Sequence, residues 1–163
     1  MAVRCQWLFA FVGLVATSSA LADSPSHPRS YKEVVPGGMY VFVMIAPGAV
    51  EDDIRPWNEE TAARIREIRL AYKRTGMYRN DGSAEPIWTV DWYAHGVDLT
   101  PDGIHLIRRG PWAWLRDDKT PDLDCETVSF FDNGRLLRTY RVGELVDHPD
   151  SLERSVSHYR WQQ

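Results

Sequence analysis

Cysteine is nearly missing from this chain: two among 163 residues, Cys5 and Cys125. Cys5 lies in an N-terminal segment that reads as removable, so no intramolecular disulfide is expected and stability has to come from packing. Cys125 sits between Asp124 and Glu126. Acidic neighbours raise a thiol pKa and work against a nucleophile, which points to a small, semi-buried residue. A free thiol and an intermolecular disulfide both stay open. Catalytic signatures are missing as well. The chain has no G-x-S-x-G, H-E-x-x-H or C-x-x-C, and no glycine loop that could cradle a phosphate. Positive charge is in deficit, with 19 Lys and Arg against 23 Asp and Glu and a net charge of −4. Without a basic stripe, binding through nucleic-acid phosphates is disfavoured. After the N-terminal segment no apolar run is long enough to span a bilayer. A hydrophobic content of 44% with 26% charged residues argues against disorder.

The first 24 residues read MAVRCQWLFAFVGLVATSSALADS. Arg4 supplies a positive start, and Trp7 to Ala16 is an apolar run too short for a spanning helix. Ala20-Leu21-Ala22 fits an A-x-A cleavage pattern. Residues 1–22 are therefore expected to be a signal peptide cut before Asp23, sending the protein to the periplasm or the exterior. An uncleaved anchor is the alternative. Cleavage leaves 141 residues, enough for one domain with a core of its own, expected over 34–163. Polar residues 23–33, with two prolines, are expected to form a flexible leader.

MYVFVMIA at 39–46 is apolar throughout and rich in β-branched and aromatic residues, the pattern of a strand buried on both faces. Residues 58–76 predict the one clear helix. Asn58 caps it, Glu59 and Glu60 sit at the positive dipole end, and Ala62, Ile65, Ile68 and Tyr72 form one stripe. Gly76 is assigned to the left-handed position after it. Beyond this point the pattern changes to period two. Strands are expected at 87–94, 97–100 and 104–109, the last two joined by Pro101-Asp102-Gly103. TVSFFDNGRLLRTYRV at 127–142 predicts a hairpin on a type I′ Asn133-Gly134 turn. That turn sets Asp132 against Arg135, Phe131 against Leu136 and Phe130 against Leu137. Val128, Phe130 and Leu137 are expected on the core side. A helical turn is expected near 142–147 and a final strand, lying at an edge, at 156–161. The fold class is thus mainly β, an α+β antiparallel meander of six to eight strands with one helix (about 59–74) packed on it.

VDLTPDGIHLIRRG followed by VSFFDNGRLLRTYRV, about residues 97–142, resembles one blade of a β-propeller, where an inner D-G hairpin is followed by an outer N-G hairpin. Since a propeller repeats such blades four or more times at about forty residues each, the resemblance implies a blade-like meander and no closed propeller. WTVDWY and GPWAW also look like segments of uncharacterised secreted bacterial proteins, a likeness that carries no activity.

Residues 87–114 hold four of the seven tryptophans and two of the five histidines. A domain without disulfides needs large side chains inside, so Trp88 and Trp92 are assigned to the core. Trp112 and Trp114, next to Pro111 and a charged loop, are assigned to the surface. With Asp91 and His95 they are the candidate ligand contacts, since aromatic rows beside polar groups stack sugars or grip peptides. His105 alternates with Ile104 and Leu106 and is expected on the opposite side from them. Whether Asp91, His95 and His105 converge separates two readings. Scatter favours a non-enzymatic binding or accessory module with a protein or carbohydrate partner, no metal and no cofactor. Convergence favours a small secreted hydrolase. A third reading is a subunit that pairs through a sheet edge.

Overall fold

A computed structural model describes residues 26–111, 113–114, 120–154 and 158–160, with backbone alone at 113, 114, 154 and 160. The chain order is β1 (Tyr31–Val34), β2 (Tyr40–Met44), α1 (Val50–Ile54), α2 (Glu59–Ala71), β3 (Gly76–Arg79) and β4 (Pro86–Thr89). Next come β5 (Val97–Leu99), β6 (His105–Arg109), β7 (Ala113–Trp114), β8 (Glu126–Asp132) and β9 (Arg135–Arg141). α3 (Val142–Leu145), β10 (Glu153–Arg154) and β11 (His158–Arg160) complete it. Strands β1-β2-β3-β4 form one antiparallel sheet and β5-β6-β8-β9 a second. A small third sheet runs β10-β11-β7. The protein is mainly β, as expected, with more and shorter elements than the pattern suggested. No helix among the described residues is long and apolar enough to cross a membrane.

Strand β2 shows why the layers stack as they do. Alternate side chains of a strand point to opposite faces. Phe42 and Met44 join Met77 and Trp88 from their own sheet, Val35 just after β1, and Leu106 and Phe131 from the second sheet, in one core. Val41 and Val43 point the other way and pack with Tyr78 against Ile68 of α2. The order is helix, sheet, sheet, and β2 is buried from both sides, as its apolar run predicted.

Helix α2 begins where expected, with the Asn58 side chain accepting from the Thr61 amide at 2.9 Å. Ala62, Ile65 and Ile68 are its buried residues. It ends earlier than expected, at Ala71, with Tyr72 already extended. Gly76 is not a helix cap but the first residue of β3. A Cβ there would lie 2.1 Å from the Trp88 carbonyl oxygen, so the close approach of β4 requires glycine. The strand expected over 87–94 stops at Thr89, and the chain bends away at Asp91. Of the leader expected over 23–33, residues 23–25 lie outside the described residues; Tyr31–Val34 is a strand, and the N-terminal strap of residues 26–30 makes the contacts given below.

Both predicted hairpins are present. Asn133 (φ 48°) and Gly134 (φ 76°) make the primed turn between β8 and β9. Asp132 pairs with Arg135 and Phe131 with Leu136, but a register shift then sets Phe130 opposite Arg138 rather than Leu137. The core side also differs from expectation. Thr127, Ser129 and Phe131 are buried, while Phe130 and Leu137 are 37% and 53% exposed. The extra residue is Leu137 of β9, so β8 keeps its alternation with the other face inward, and Phe131 packs on Trp92, ring centroids 4.9 Å apart. The final strand is not at an edge: β11 lies between β10 and β7.

Candidate functional site

A cleft of about 890 Å³ opens where β5 begins and β6 ends. The segment from Tyr93 to Asp98 forms one wall. Arg108 to Pro111 and Glu126 of β8 form the other, and Ser26 contributes from the N-terminal side. Hairpin register explains the lining. Asp98 stands opposite Ile107 and therefore diagonal to Arg109 on the same face. The Arg109 guanidinium donates to both Asp98 carboxylate oxygens, at 2.8 and 2.5 Å. One residue back, on the opposite face, Arg108 donates to Glu126 at 3.2 Å and to the Ser129 hydroxyl at 3.4 Å. Its guanidinium carbon lies 5.1 Å from the Trp92 ring centre and 5.9 Å from that of Phe131. Arg108 is thereby fixed by rings and by an acid, although its buried Nε has no partner among the described residues.

His95 lines the cleft from the Tyr93–Asp98 side. Its ring meets Tyr93 edge-on at 5.1 Å. Ser26 Oγ and Tyr93 Oη each lie 3.4 Å from the same nitrogen, Nδ1. Burial, and then the nearby positive charge of Arg29, hold the His95 pKa below its usual value, so the ring is neutral at neutral pH. The N-terminal strap closes this corner. The Arg29 amide donates to Tyr93 Oη at 2.9 Å, and Tyr93 Oη donates to the Arg29 carbonyl at 3.2 Å.

The strap continues into a buried polar cluster that the sequence pattern did not reveal. Asp53 of α1 is 1% exposed. It accepts from the Ser30 amide (3.0 Å), the Ser30 hydroxyl (2.6 Å) and Arg69 of α2 (3.0 Å). Arg69 also donates to the Ala46 and Gly48 carbonyls. These bonds lock strap, α1, α2 and the end of β2 together beside the core.

The candidate residues do not converge. His95 lines the cleft, while Asp91 is exposed and lies outside its lining. His105 is at the far end of β6 from Arg109, roughly 13 Å along the strand. There it faces Asp102 at 3.2 Å and belongs to the hairpin turn. Asp102 also accepts from the Thr100 hydroxyl and the Ile104 amide, and these bonds hold its carboxyl at about 2. Trp88 is a core residue at 7% exposure, its indole donating to the Gly103 carbonyl at 2.9 Å. Trp92 is half-buried and packs on that core beneath Arg108. Trp112 and the Trp114 side chain lie outside the described residues. Cys125 is half-buried, and burial, then Asp122 and Glu126, push its thiol pKa up. Among the described residues no three His, Cys, Asp or Glu side chains gather into a group that could hold a metal ion. The Asp98–Arg109 pair was readable in the hairpin register; Tyr93 and Glu126 carried no signal of their own. Compared with known proteins, the chain matches no family model, no curated protein and no solved structure.

Proposed function

We propose that the protein is an exported binding module without catalytic activity, and that the cleft between Tyr93–Asp98 and Arg108–Pro111 is its working surface. One observation carries this reading: the charged residues that line the two walls are held by each other, Asp98 by Arg109 and Glu126 by Arg108. A carboxylate whose oxygens already accept from a guanidinium is engaged, and is poorly placed to take a proton from a substrate. The group is built to hold a shape. Export is supported by the apolar run and the A-x-A pattern before Asp23. N-terminal sequencing of the exported protein is expected to start at Asp23, and a retained Met1 overturns that part.

The rival reading, a small hydrolase, draws on the approach of Ser26 to His95. A serine nucleophile needs a base oriented from its other nitrogen by an acid. Here Ser26 and Tyr93 crowd one nitrogen, and among the described residues no carboxylate bonds to the other. Both readings are tested with Gly96. A Cβ at Gly96 meets nothing within 4 Å, and its φ lies outside the left-handed region. Gly96→Phe is therefore expected to fill the cleft and leave the fold intact. Partner material retained from the native envelope fraction by wild type should be lost by Gly96→Phe and kept by Gly96→Ala. Equal retention by all three overturns the cleft as the binding surface, and labelling of Ser26 by a fluorophosphonate probe overturns the non-catalytic reading.

A further inference from the structure

Resting on the cleft as the binding surface, we propose that its ligand is a neutral oligosaccharide. The walls carry two acids and two arginines that cancel in pairs across short distances, so a charged ligand meets attraction and repulsion of similar size. His95 adds a polar ring without a charge at neutral pH. Hydroxyl groups both donate and accept, so a sugar can sit beside a carboxylate–guanidinium pair and satisfy both members; a carboxylate or an ammonium satisfies only one. The Asp98 and Arg109 side chains are 45% and 60% exposed, open to such a neighbour while still bonded to each other. Between these polar points the half-buried Tyr93 and the exposed Pro111 give apolar surface suited to the C–H face of a pyranose. The volume of about 890 Å³ lies within the range of pockets that take small ligands, about 300–1,000 Å³.

A peptide is a poorer fit. Extended peptides bind by adding a strand to an open sheet edge. The sheet edge beside this cleft is β5, only three residues long, which offers an added strand very few backbone bonds.

The experiment is a glycan array carrying neutral and uronic-acid oligosaccharides, followed by titration calorimetry of hits with wild type, Gly96→Ala and Gly96→Phe. Circular dichroism confirms that each variant is folded. At least one neutral oligosaccharide is expected to bind, about tenfold or more tighter than its acidic counterpart. Its affinity should stay unchanged up to about 0.5 M salt, because screening acts on charge. Gly96→Phe should weaken it at least about tenfold and Gly96→Ala little. Binding confined to acidic glycans, or affinity that collapses with salt, overturns the proposal, as does an array without a neutral hit. If envelope material is still captured in a Gly96-dependent way, the binding-module reading survives that failure. If Gly96→Phe changes neither capture nor glycan binding, both fall.

Discussion

At the residue scale, the most consequential side chain outside the cleft is Asp53. Its carboxylate is fully enclosed and holds Arg69, the Ser30 amide and the Ser30 hydroxyl at once. Removing one member of a buried ion pair leaves the other without compensation, at about 3–5 kcal/mol. Asp53→Ala is therefore expected to lower unfolding free energy by that amount in urea titration, and to loosen the strap at Tyr93. A cost below about 1 kcal/mol, the scale of a surface pair, would show that the cluster does not hold the strap. Nothing in the sequence marks Asp53 apart from Glu51 and Asp52 beside it. Burial is decided by the docking of α1 on α2, which a linear pattern does not contain. His105 illustrates the opposite case: its alternation with Leu106 placed it outward, and it is exposed.

At the element scale, local signals located turns and helix starts well. Asn58, Pro101-Asp102-Gly103 and Asn133-Gly134 act through their own backbone, so the sequence shows them directly. Long-range approach is what local patterns cannot show. Gly76 is a strand residue pressed against β4, though it has the look of a helix stop. Gly134 combines both effects. It has φ +76°, and a Cβ there would lie 2.5 Å from the Thr89 carbonyl oxygen of the other sheet. Left-handed backbone costs a branched residue about 1–2 kcal/mol before any clash. Gly134→Val is expected to exceed that range, read as a drop in thermal midpoint. A change within measurement error would mean the hairpin tip does not bear on β4. The choice of face on β8 is the other lesson here: Thr127, Ser129 and Phe131 point inward at regular alternation, and a period-two pattern alone does not say which of its two faces meets the core.

On the scale of the whole molecule, the tryptophan-rich middle of the chain splits by role. Trp88 joins the two sheets: it packs on Phe42, centroids 5.9 Å apart, and bonds to the turn of the second sheet. Trp92 sits between that core and the cleft, supporting Arg108. Trp88→Ala is expected to cost about 3–5 kcal/mol. Trp92→Ala should cost less, because part of its ring already faces outward, and should disturb the cleft instead. Denaturant melts of the two variants check the order, and a larger loss for Trp92→Ala reverses the assignment. The mainly β class, the doubly buried β2 and the helix stripe were all readable in advance. The cleft was not, since its walls come from residues 26, 93–98, 108–111 and 126, which only the folded chain brings together.

The tips of the second sheet's hairpins are braced against the first, Gly134 on Thr89 and Gly103 on the Tyr40 ring. Hairpin ends are commonly chosen for grafted epitopes or dyes, and here both would be poor choices. The Asn80-Asp81-Gly82 turn, with nothing within 4 Å of a Cβ at Gly82, leaves a cargo room.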